Sequence, residues 1–155
     1  GADAEIILLA QSNLAIVYSK LGRQEDALAL RREVYNKRHM LDPEHRSTLS
    51  AASSLVNSLI EHYNFAEART LINETLPIVR RVYGDAHDIT LGLRYKLPHS
   101  IVLNPDATQK DLRGAKGELE ELLRTTRRIF GDSHPRVELV RNLVGAANNR
   151  LRTEF

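Results

Sequence analysis

The sequence predicts an all-α solenoid of three helical hairpins and a C-terminal capping helix, and three observations indicate this fold. A turn that ends in a histidine recurs at His45, His87 and His134, 42 and then 47 residues apart. A period of this length is typical of stacked helical units. Apolar residues recur in steps of three and four, which is the period of a helix face. The chain is rich in Ala and Leu, has no Trp and is only 5% aromatic, which favours helix over strand.

The first hairpin is predicted over residues 4–41. Its first helix has one apolar face and ends at Gly22, a common residue just beyond a helix C-terminus. That face consists of Ile7, Ala10, Leu14, Val17, Tyr18 and Leu21. The second helix is predicted over 24–41 and is ended by Asp42-Pro43. Its inward residues are predicted to be Ala27, Leu30, Val34, Met40 and Leu41.

The second hairpin, residues 44–83, repeats this arrangement with helices at 44–62 and 65–83. We expect a kink at Pro77, because proline lacks a backbone donor and clashes with the preceding turn. The predicted inward residues are Leu49, Ala52, Leu55, Val56 and Leu59, then Ala68, Leu71, Ile72 and Val79.

The third hairpin, residues 86–130, is irregular. Its first helix is predicted over 86–103, with an interruption at Pro98. A turn containing Pro105 follows, and a long second helix is predicted over 108–130.

A last helix, predicted over 133–152, has no partner helix after it. Its Arg- and Asn-rich side is typical of a helix that caps a repeat array. We therefore expect residues 1–155 to form a single domain.

Three segments of the chain share one residue pattern. In the first hairpin it consists of Asn13-Leu14-Ala15, Tyr18, Gly22 and Glu25-Asp26-Ala27. In the second and third it consists of Leu55, Leu59, Phe65, Glu67 and Ala68, and of Leu97, Ala115, Leu119 and Leu122. The pattern resembles the tetratricopeptide repeat (TPR), in the long variety found in kinesin light chains. The resemblance implies a right-handed α-solenoid with small residues where paired helices cross.

The third repeat departs from the pattern by an insertion. Leu97 and Ala115 are 18 residues apart, whereas Leu14 and Ala27 are 13 apart. Five residues are therefore inserted, most simply around 104–109.

The resemblance also implies a concave groove lined by the first helix of each hairpin. The implied peptide-binding residues are Ser12, Asn13, Ile16, Lys20, Ser53, Asn57, Ile60, Tyr95, Lys96, His99, Arg141 and Asn142. Leu9, Ser50 and Ser54 lie on the same faces. An Asn side chain can both donate to and accept from a peptide backbone. The basic members favour an acidic protein or peptide partner, and a merely solvated polar surface is the alternative for any one position.

Several other classes of function are not expected. Cys is absent, and no phosphate-binding Gly-rich loop or nucleophile elbow is present, so we expect neither an enzyme nor a bound cofactor. The 22 basic and 20 acidic residues are nearly balanced, which does not indicate nucleic-acid binding. No apolar run is long enough to span a membrane, and we expect a cytoplasmic protein.

Two recurring basic features have simple structural interpretations. The turn histidines are one repeat apart and are expected to hydrogen-bond helix ends, not to bind a metal. Basic pairs recur near the ends of the second helices, at Lys37-Arg38, Arg80-Arg81 and Arg127-Arg128. Such pairs offset the helix dipole, although a ridge that binds an acidic partner is the alternative.

A second function fits the beginning of the chain. Ile6, Ile7, Leu8 and Leu9 make the first helix apolar on more than one side. The chain could then be the terminal segment of a longer array that forms a homo-oligomer through this helix.

Overall fold

Seven α-helices joined by short turns make up residues 1–153, the part of the chain that the computed structural model describes. They are α1 (Ala2–Lys20), α2 (Gln24–Leu41), α3 (Arg46–Glu61), α4 (Phe65–Tyr83), α5 (Asp88–Leu103), α6 (Gln109–Phe130) and α7 (Pro135–Arg152). Every predicted helix is present, with its ends within two residues of the expected positions. The helices fall into two compact units, with α1 to α3 in the first and α4 to α7 in the second.

Small residues are buried at the centre of the first unit. Ala15 of α1 and Ala27 of α2 have no exposed surface, and Leu8, Leu28 and Val34 are buried with them. A methyl side chain lets two helix axes approach closely while larger residues on either side fill the remaining space. The predictions for Ala27 and Val34 are confirmed.

The apolar face predicted for α1 is present, but it faces outward. Ile7, Leu14, Val17 and Leu21 are 55%, 42%, 47% and 68% exposed. The buried line of α1 lies beside this face and includes Leu8. The regular spacing therefore identified a helix face correctly, but not the side that packs within the chain.

The end of α2 also differs from the prediction. Met40 and Leu41 were expected to point inward, and both are largely exposed. They lie beside Ile7 at one edge of a shallow apolar cavity of about 350 Å³. By contrast, all the inward residues predicted for α3 and α4 are buried.

The core of the second unit lies mainly among α5, α6 and α7. Its buried members are Leu91, Val102, Ala115, Leu119, Leu122, Val140, Leu143 and Ala147. The predicted interruption of α5 at Pro98 is wrong, because Pro98 lies within the continuous helix and is itself buried. α4 likewise continues through Pro77. At Pro98, burial of the side chain can offset the single backbone hydrogen bond that a proline removes, whereas Pro77 is exposed.

Each turn histidine caps the helix that follows it. His45, His87 and His134 are the N-cap residues of α3, α5 and α7. In each case Nδ1 accepts a hydrogen bond of 3.2 Å from a backbone N–H two residues later. This confirms that the histidines bind helix ends, since an N-cap acceptor satisfies one of the free donors of the first turn.

Two of these imidazole rings also stack on the last residue of the preceding helix. The ring of His87 lies 4.5 Å from that of Tyr83, and the ring of His134 lies 4.3 Å from that of Phe130. Between the stacked rings, Gly84 and Gly131 adopt positive φ angles of 85° and 80°. The aromatic residue, glycine and histidine therefore act together to reverse the chain.

The recurring basic residues near these turns form local ion pairs. Arg80 Nε lies 3.0 Å from Asp85 Oδ1, and Arg127 Nε lies 2.6 Å from Asp132 Oδ1. Each pair spans the end of a helix and the glycine turn after it. This arrangement supports the structural interpretation of these basic residues.

Arg150 of α7 holds the turn formed by the inserted residues. Its Nη1 donates to the carbonyl oxygens of Val102 and Asn104 at 2.8 and 2.6 Å. Its Nη2 lies 3.4 Å from the carbonyl oxygen of Pro105. The capping helix thus provides the hydrogen-bond donors for backbone groups at the end of α5.

We expect His134→Ala to destabilise the protein by about 0.5–2 kcal/mol, as loss of an N-cap does elsewhere. His134→Asn should be less destabilising, because an Asn side chain also provides an N-cap acceptor. Urea denaturation followed by circular dichroism measures both effects. The exposed His39→Ala serves as the control, and equal losses for the Ala and Asn variants would contradict a capping role.

We expect Arg150→Ala to destabilise the second unit by about 1–3 kcal/mol, because partly buried carbonyl groups lose a charged donor. Amide hydrogen exchange should also become faster around residues 104–109. Arg152→Ala, which changes an exposed arginine on the same helix, should have little effect. If the two variants were equally stable, the hydrogen bonds of Arg150 would not support this turn.

Candidate functional site

The first unit contains a groove of about 310 Å³ whose walls come from all three of its helices. Its lining residues are Leu9, Ser12 and Ile16 of α1, Arg31, Val34 and Arg38 of α2, and Ser47, Ser50, Ala51 and Ser54 of α3. Apart from the adjacent pair Ser50 and Ala51, the lining residues of each helix are spaced by three, four or seven positions, so each helix presents one face. The groove combines apolar side chains with hydroxyl groups and two guanidinium groups.

The guanidinium group of Arg38 is held by side chains of α1 and α3. Although it is charged, Arg38 is only 6% exposed. Its Nη1 donates to Glu5 Oε2 at 3.0 Å and to Ser47 Oγ at 2.6 Å. Arg31 Nη1 likewise donates to Ser58 Oγ. These hydrogen bonds fix both guanidinium groups in position. They also supply the partners that a charged group needs when it is removed from water.

The lining of the groove carries net positive charge. Arg31 and Arg38 are its charged members, and no carboxylate belongs to the lining. Glu5 offsets part of the charge of Arg38 from outside it. Arginine donors in a fixed position are well suited to a carboxylate or another acidic group.

The structure places part of the predicted site in this groove. Ser12 and Ile16 line it, together with Leu9, Ser50 and Ser54. The other predicted residues of the first unit lie outside the lining: Asn13, Lys20 and Asn57 are exposed, Ser53 is partly buried and Ile60 is buried. Ile60 thus presents little surface to a ligand.

α2 contributes a wall of the groove that was not predicted from the sequence. Predicted groove residues lie on α1, α3, α5 and α7, whereas Arg31, Val34 and Arg38 of α2 form this wall. Their spacing of three and then four residues places them on one helix face. This spacing is the sequence signal from which a wall on α2 could have been predicted. From the sequence, Arg38 is expected either to offset the helix dipole or to belong to a basic ridge that binds an acidic partner.

The predicted residues of α5 form a cluster in the second unit. Tyr95 and His99 are half-buried, with ring centroids 6.1 Å apart, and Lys96 is buried. From α7, Arg136 donates to the carbonyl oxygen of Asp88 at 3.0 Å. Lys96 was expected on an exposed groove surface, but packing covers it.

Burial changes the proton affinities of this cluster. It lowers the pKa of Lys96 to about 8, and the positive charge of Arg136 lowers it further. Burial also lowers the pKa of His99 and raises that of Tyr95. In each case removal from water disfavours the charged form.

The two predicted residues of α7 are both exposed. Arg141 Nη2 lies 3.7 Å from Asp132 Oδ1, so a carboxylate already neighbours this cation. Asn142 lies beside it on the same surface. These residues provide polar surface, not a walled site.

Residues 1–153 contain neither a cluster of metal-ligating side chains nor a helix that could span a membrane. No group of three or more His, Asp or Glu side chains in that range is arranged to hold a metal ion. Within the same residues, every helix is too short or too polar to cross a bilayer.

Antiparallel helices that repeat along the chain and carry a groove on their faces define a helical-repeat protein. The tetratricopeptide repeat pattern matches residues 7–46, 48–88 and 107–136. The chain belongs to the tetratricopeptide repeat family. Repeats of this family mediate protein–protein interactions. The unmatched segment between the second and third matches, residues 89–106, contains all of α5 except Asp88 and the first half of the predicted insertion around 104–109.

Solved structures of kinesin-light-chain TPR-like repeats from Podosopora anserina have a similar fold. One is 21% identical, covers 95% of this chain and 68% of its own, and has a TM-score of 0.75. A second is also 21% identical, covers 95% and 69%, and has a TM-score of 0.73. This likeness shows that the fold is an all-α repeat solenoid. No curated protein sequence matches the chain.

We expect the wild-type protein to gain stability relative to a Lys96→Met variant as the pH rises from about 8 to about 10.5. The folded state releases the Lys96 proton near pH 8, whereas the unfolded state keeps it until higher pH. The unfolded state therefore binds more protons in this window. The gain should be at most about 1.4 kcal/mol per pH unit.

Urea denaturation of both proteins at several pH values measures this difference. Using the difference removes groups that titrate equally in the two proteins. A Lys110→Met variant is the control, because Lys110 is exposed. If the wild type and the Lys96→Met variant kept a constant stability difference, Lys96 would not have the lowered pKa.

Proposed function

We propose that this protein is a scaffold or adaptor module that binds a peptide segment or a partner helix in the groove of its first unit. The observation that carries the proposal is the groove itself, in which three helices surround a space of about 310 Å³. A space of this size accommodates a few side chains of an extended segment.

Apolar and polar lining residues have different roles in this proposal. Leu9 and Ile16 provide exposed apolar surface that can anchor a ligand side chain, and Val34 is buried behind it. Ser50 and Ser54 offer hydroxyl groups that can donate to or accept from a peptide backbone. Apolar contacts supply most of the affinity, and the hydroxyl groups set the orientation.

We propose that the preferred ligand is acidic. Arg31 is the cation that a ligand can reach, because it is only partly buried, and its hydrogen bond to Ser58 fixes it before a ligand arrives. Arg38 is 6% exposed and paired with Glu5, so it contributes positive potential and not a direct contact. A group that is already ordered loses less entropy on binding. An acidic side chain therefore gains an ionic contact at a small ordering cost.

The predicted residues outside the lining extend the proposed surface. Asn13 and Asn57 are exposed on α1 and α3, where they can contact a peptide that runs beyond the groove. The proposal requires no catalytic group, cofactor or metal, and it places the protein in the cytoplasm as a non-enzymatic binding module.

A second candidate function is self-association through α1 at the end of a longer array. The exposed apolar residues of this helix favour it. This function uses a different face of α1 from the groove, so the two proposals can hold together.

We expect Ser50→Tyr and Ser54→Tyr to weaken binding of an acidic, fluorescently labelled peptide by about tenfold or more, because a large side chain would fill the groove. Both serines are exposed, so the fold should tolerate the change. Candidate peptides come from selection of an acidic peptide library, and fluorescence anisotropy measures the dissociation constants. Asn13→Ala and Asn57→Ala should reduce affinity less.

Ser133→Tyr tests whether the effect depends on where the tyrosine is placed, and a salt series tests whether ionic contacts contribute to binding. Ser133→Tyr adds the same side chain at an exposed turn, and it should leave binding unchanged. Raising the salt concentration should weaken binding, because salt screens the arginine contacts. Peptides that bind the Ser50→Tyr and Ser54→Tyr variants as tightly as the wild type would rule out this groove.

A further inference from the structure

The second unit contains a groove that is lined by carboxylates of one helix and guanidinium groups of two others. Its volume is about 270 Å³, and it is formed by α4, α5 and α6. Arg80 comes from α4, Arg94 from α5, and Glu118 and Glu121 from α6. α5 packs against both α4 and α6 and therefore lies between them. We call this space the mixed-charge groove.

The charges of the mixed-charge groove share one space without pairing across it. Among residues 1–153, the side chains of Arg94, Glu118 and Glu121 form no ion pair. Arg80 pairs with Asp85 at 3.0 Å, in the turn after α4. A guanidinium group has more N–H donors than one carboxylate uses, so Arg80 retains donors for a second partner. The groove therefore has unused binding capacity for both signs of charge.

The α6 side of the groove is suited to a basic group. Glu118 and Glu121 are three residues apart and so lie on one helix face. Partial burial raises the pKa of the Glu118 carboxyl, and the negative charge of Glu121 raises it further, although Arg94 acts in the opposite direction. The ionised form of Glu118 is thus less stable than it would be in water. A cation placed between the two carboxylates would stabilise it.

The guanidinium group of Arg94 is suited to an acidic group. Arg94 is partly buried, so it has lost some of its contact with water. In the groove of the first unit, by contrast, Arg31 and Arg38 already donate to side chains of the protein. A carboxylate can accept two parallel hydrogen bonds from one guanidinium group. A ligand carboxylate would therefore supply the partner that Arg94 lacks.

The apolar part of the groove indicates the size and kind of ligand. Leu122 is buried, and Leu76 and Leu97 are partly buried. The aliphatic stem of a Lys or Arg side chain can cover such surface while its charged end reaches a carboxylate. Sites for drug-sized molecules begin at about 300 Å³. The smaller volume here fits one or two side chains of a protein segment.

We propose that the mixed-charge groove binds a peptide segment of a partner protein in which a basic and an acidic side chain lie close together. The basic side chain lies between Glu118 and Glu121, and the acidic side chain accepts hydrogen bonds from Arg94 and Arg80. Recognition depends on the pair of opposite charges, whereas the groove of the first unit favours an acidic ligand. No residue of that groove is used, so either proposal can fail alone.

A peptide display library tests this proposal. Every member carries one Lys and one Glu about one to four positions apart, which covers the spacings that place two side chains on one face of a strand or a helix. The library is selected on the whole protein, and fluorescence anisotropy measures the dissociation constants. We expect peptides whose affinity falls at least about tenfold with Glu118→Gln combined with Glu121→Gln, and also with Arg94→Gln, because each change leaves one ligand charge unpaired.

Three control variants show whether the effect belongs to this groove. Glu120→Gln changes a carboxylate of the same helix that pairs with Lys116 outside the groove. Arg124→Gln changes an exposed arginine of α6, and Ser50→Tyr fills the groove of the first unit. All three should leave the affinities unchanged. A library that yields no peptide sensitive to Glu118→Gln with Glu121→Gln would overturn the inference.

An exchange of charge tests the contact directly. Glu121→Lys should weaken binding of a selected peptide at least about tenfold, because two cations then meet. Replacing the Lys of that peptide with Glu should restore binding to the Glu121→Lys variant, since opposite charges meet again. A peptide exchange that restored nothing would overturn the placement of the basic side chain.

Thermal denaturation distinguishes this proposal from an ion pair within the protein. If Arg94 and Glu118 served only to pair with each other, Glu118→Gln would lower the melting temperature. Arg94→Gln would then have little further effect in the Glu118→Gln protein. We expect instead that Glu118→Gln leaves the melting temperature unchanged or raises it, because it removes a carboxylate without a counter-ion. Coupled losses in this double-mutant cycle would overturn the proposal.

Discussion

The constraint on which this structure depends is that the first helix of a repeat must be covered by the helix that precedes it in the chain. Thr48, Leu55 and Ser58 of α3 meet this requirement, because α2 and the turn after it lie against that helix. Val137 and Ala147 of α7 are fully buried in the second unit. A stacked array gains stability at each such interface, since a single hairpin cannot bury its own apolar surface. The matching residues of α1, Ile7, Leu14 and Val17, are between 42% and 55% exposed.

The turns between repeats combine helix capping with ring stacking. An imidazole Nδ1 accepts a hydrogen bond from the first turn of the next helix, and two of the rings also stack on the aromatic residue that ended the previous helix. Helix termination and helix initiation are therefore linked through one side chain. This explains why a histidine suits these positions better than a shorter capping residue, which could satisfy the N–H group but could not stack.

The sequence predicted most of the fold, because helix periodicity and turn residues are local signals. The helix bounds, the buried alanines and the capping role of the histidines follow from residues close together in the chain. Which side of α1 is buried was harder to predict. The spacing of Ile7, Leu14 and Val17 defines a helix face, but whether that face is covered depends on helices elsewhere in the fold. The continuity of α5 through Pro98 also depends on tertiary burial. Arg31 and Arg38 were missed because their role arises only when α1 and α3 approach α2.

The hydrogen bonds of Arg150 have a consequence for the order in which the chain folds as it is synthesised. The backbone carbonyls of Val102 and Asn104 leave the ribosome well before Arg150, which lies 48 and 46 residues further along the chain. The helices of the first unit, by contrast, are complete by residue 64. The first unit can therefore finish folding during translation, whereas the inserted turn must wait for α7. A ribosome-bound chain that ends before Arg150 should expose this turn to proteases, and completion of α7 should protect it.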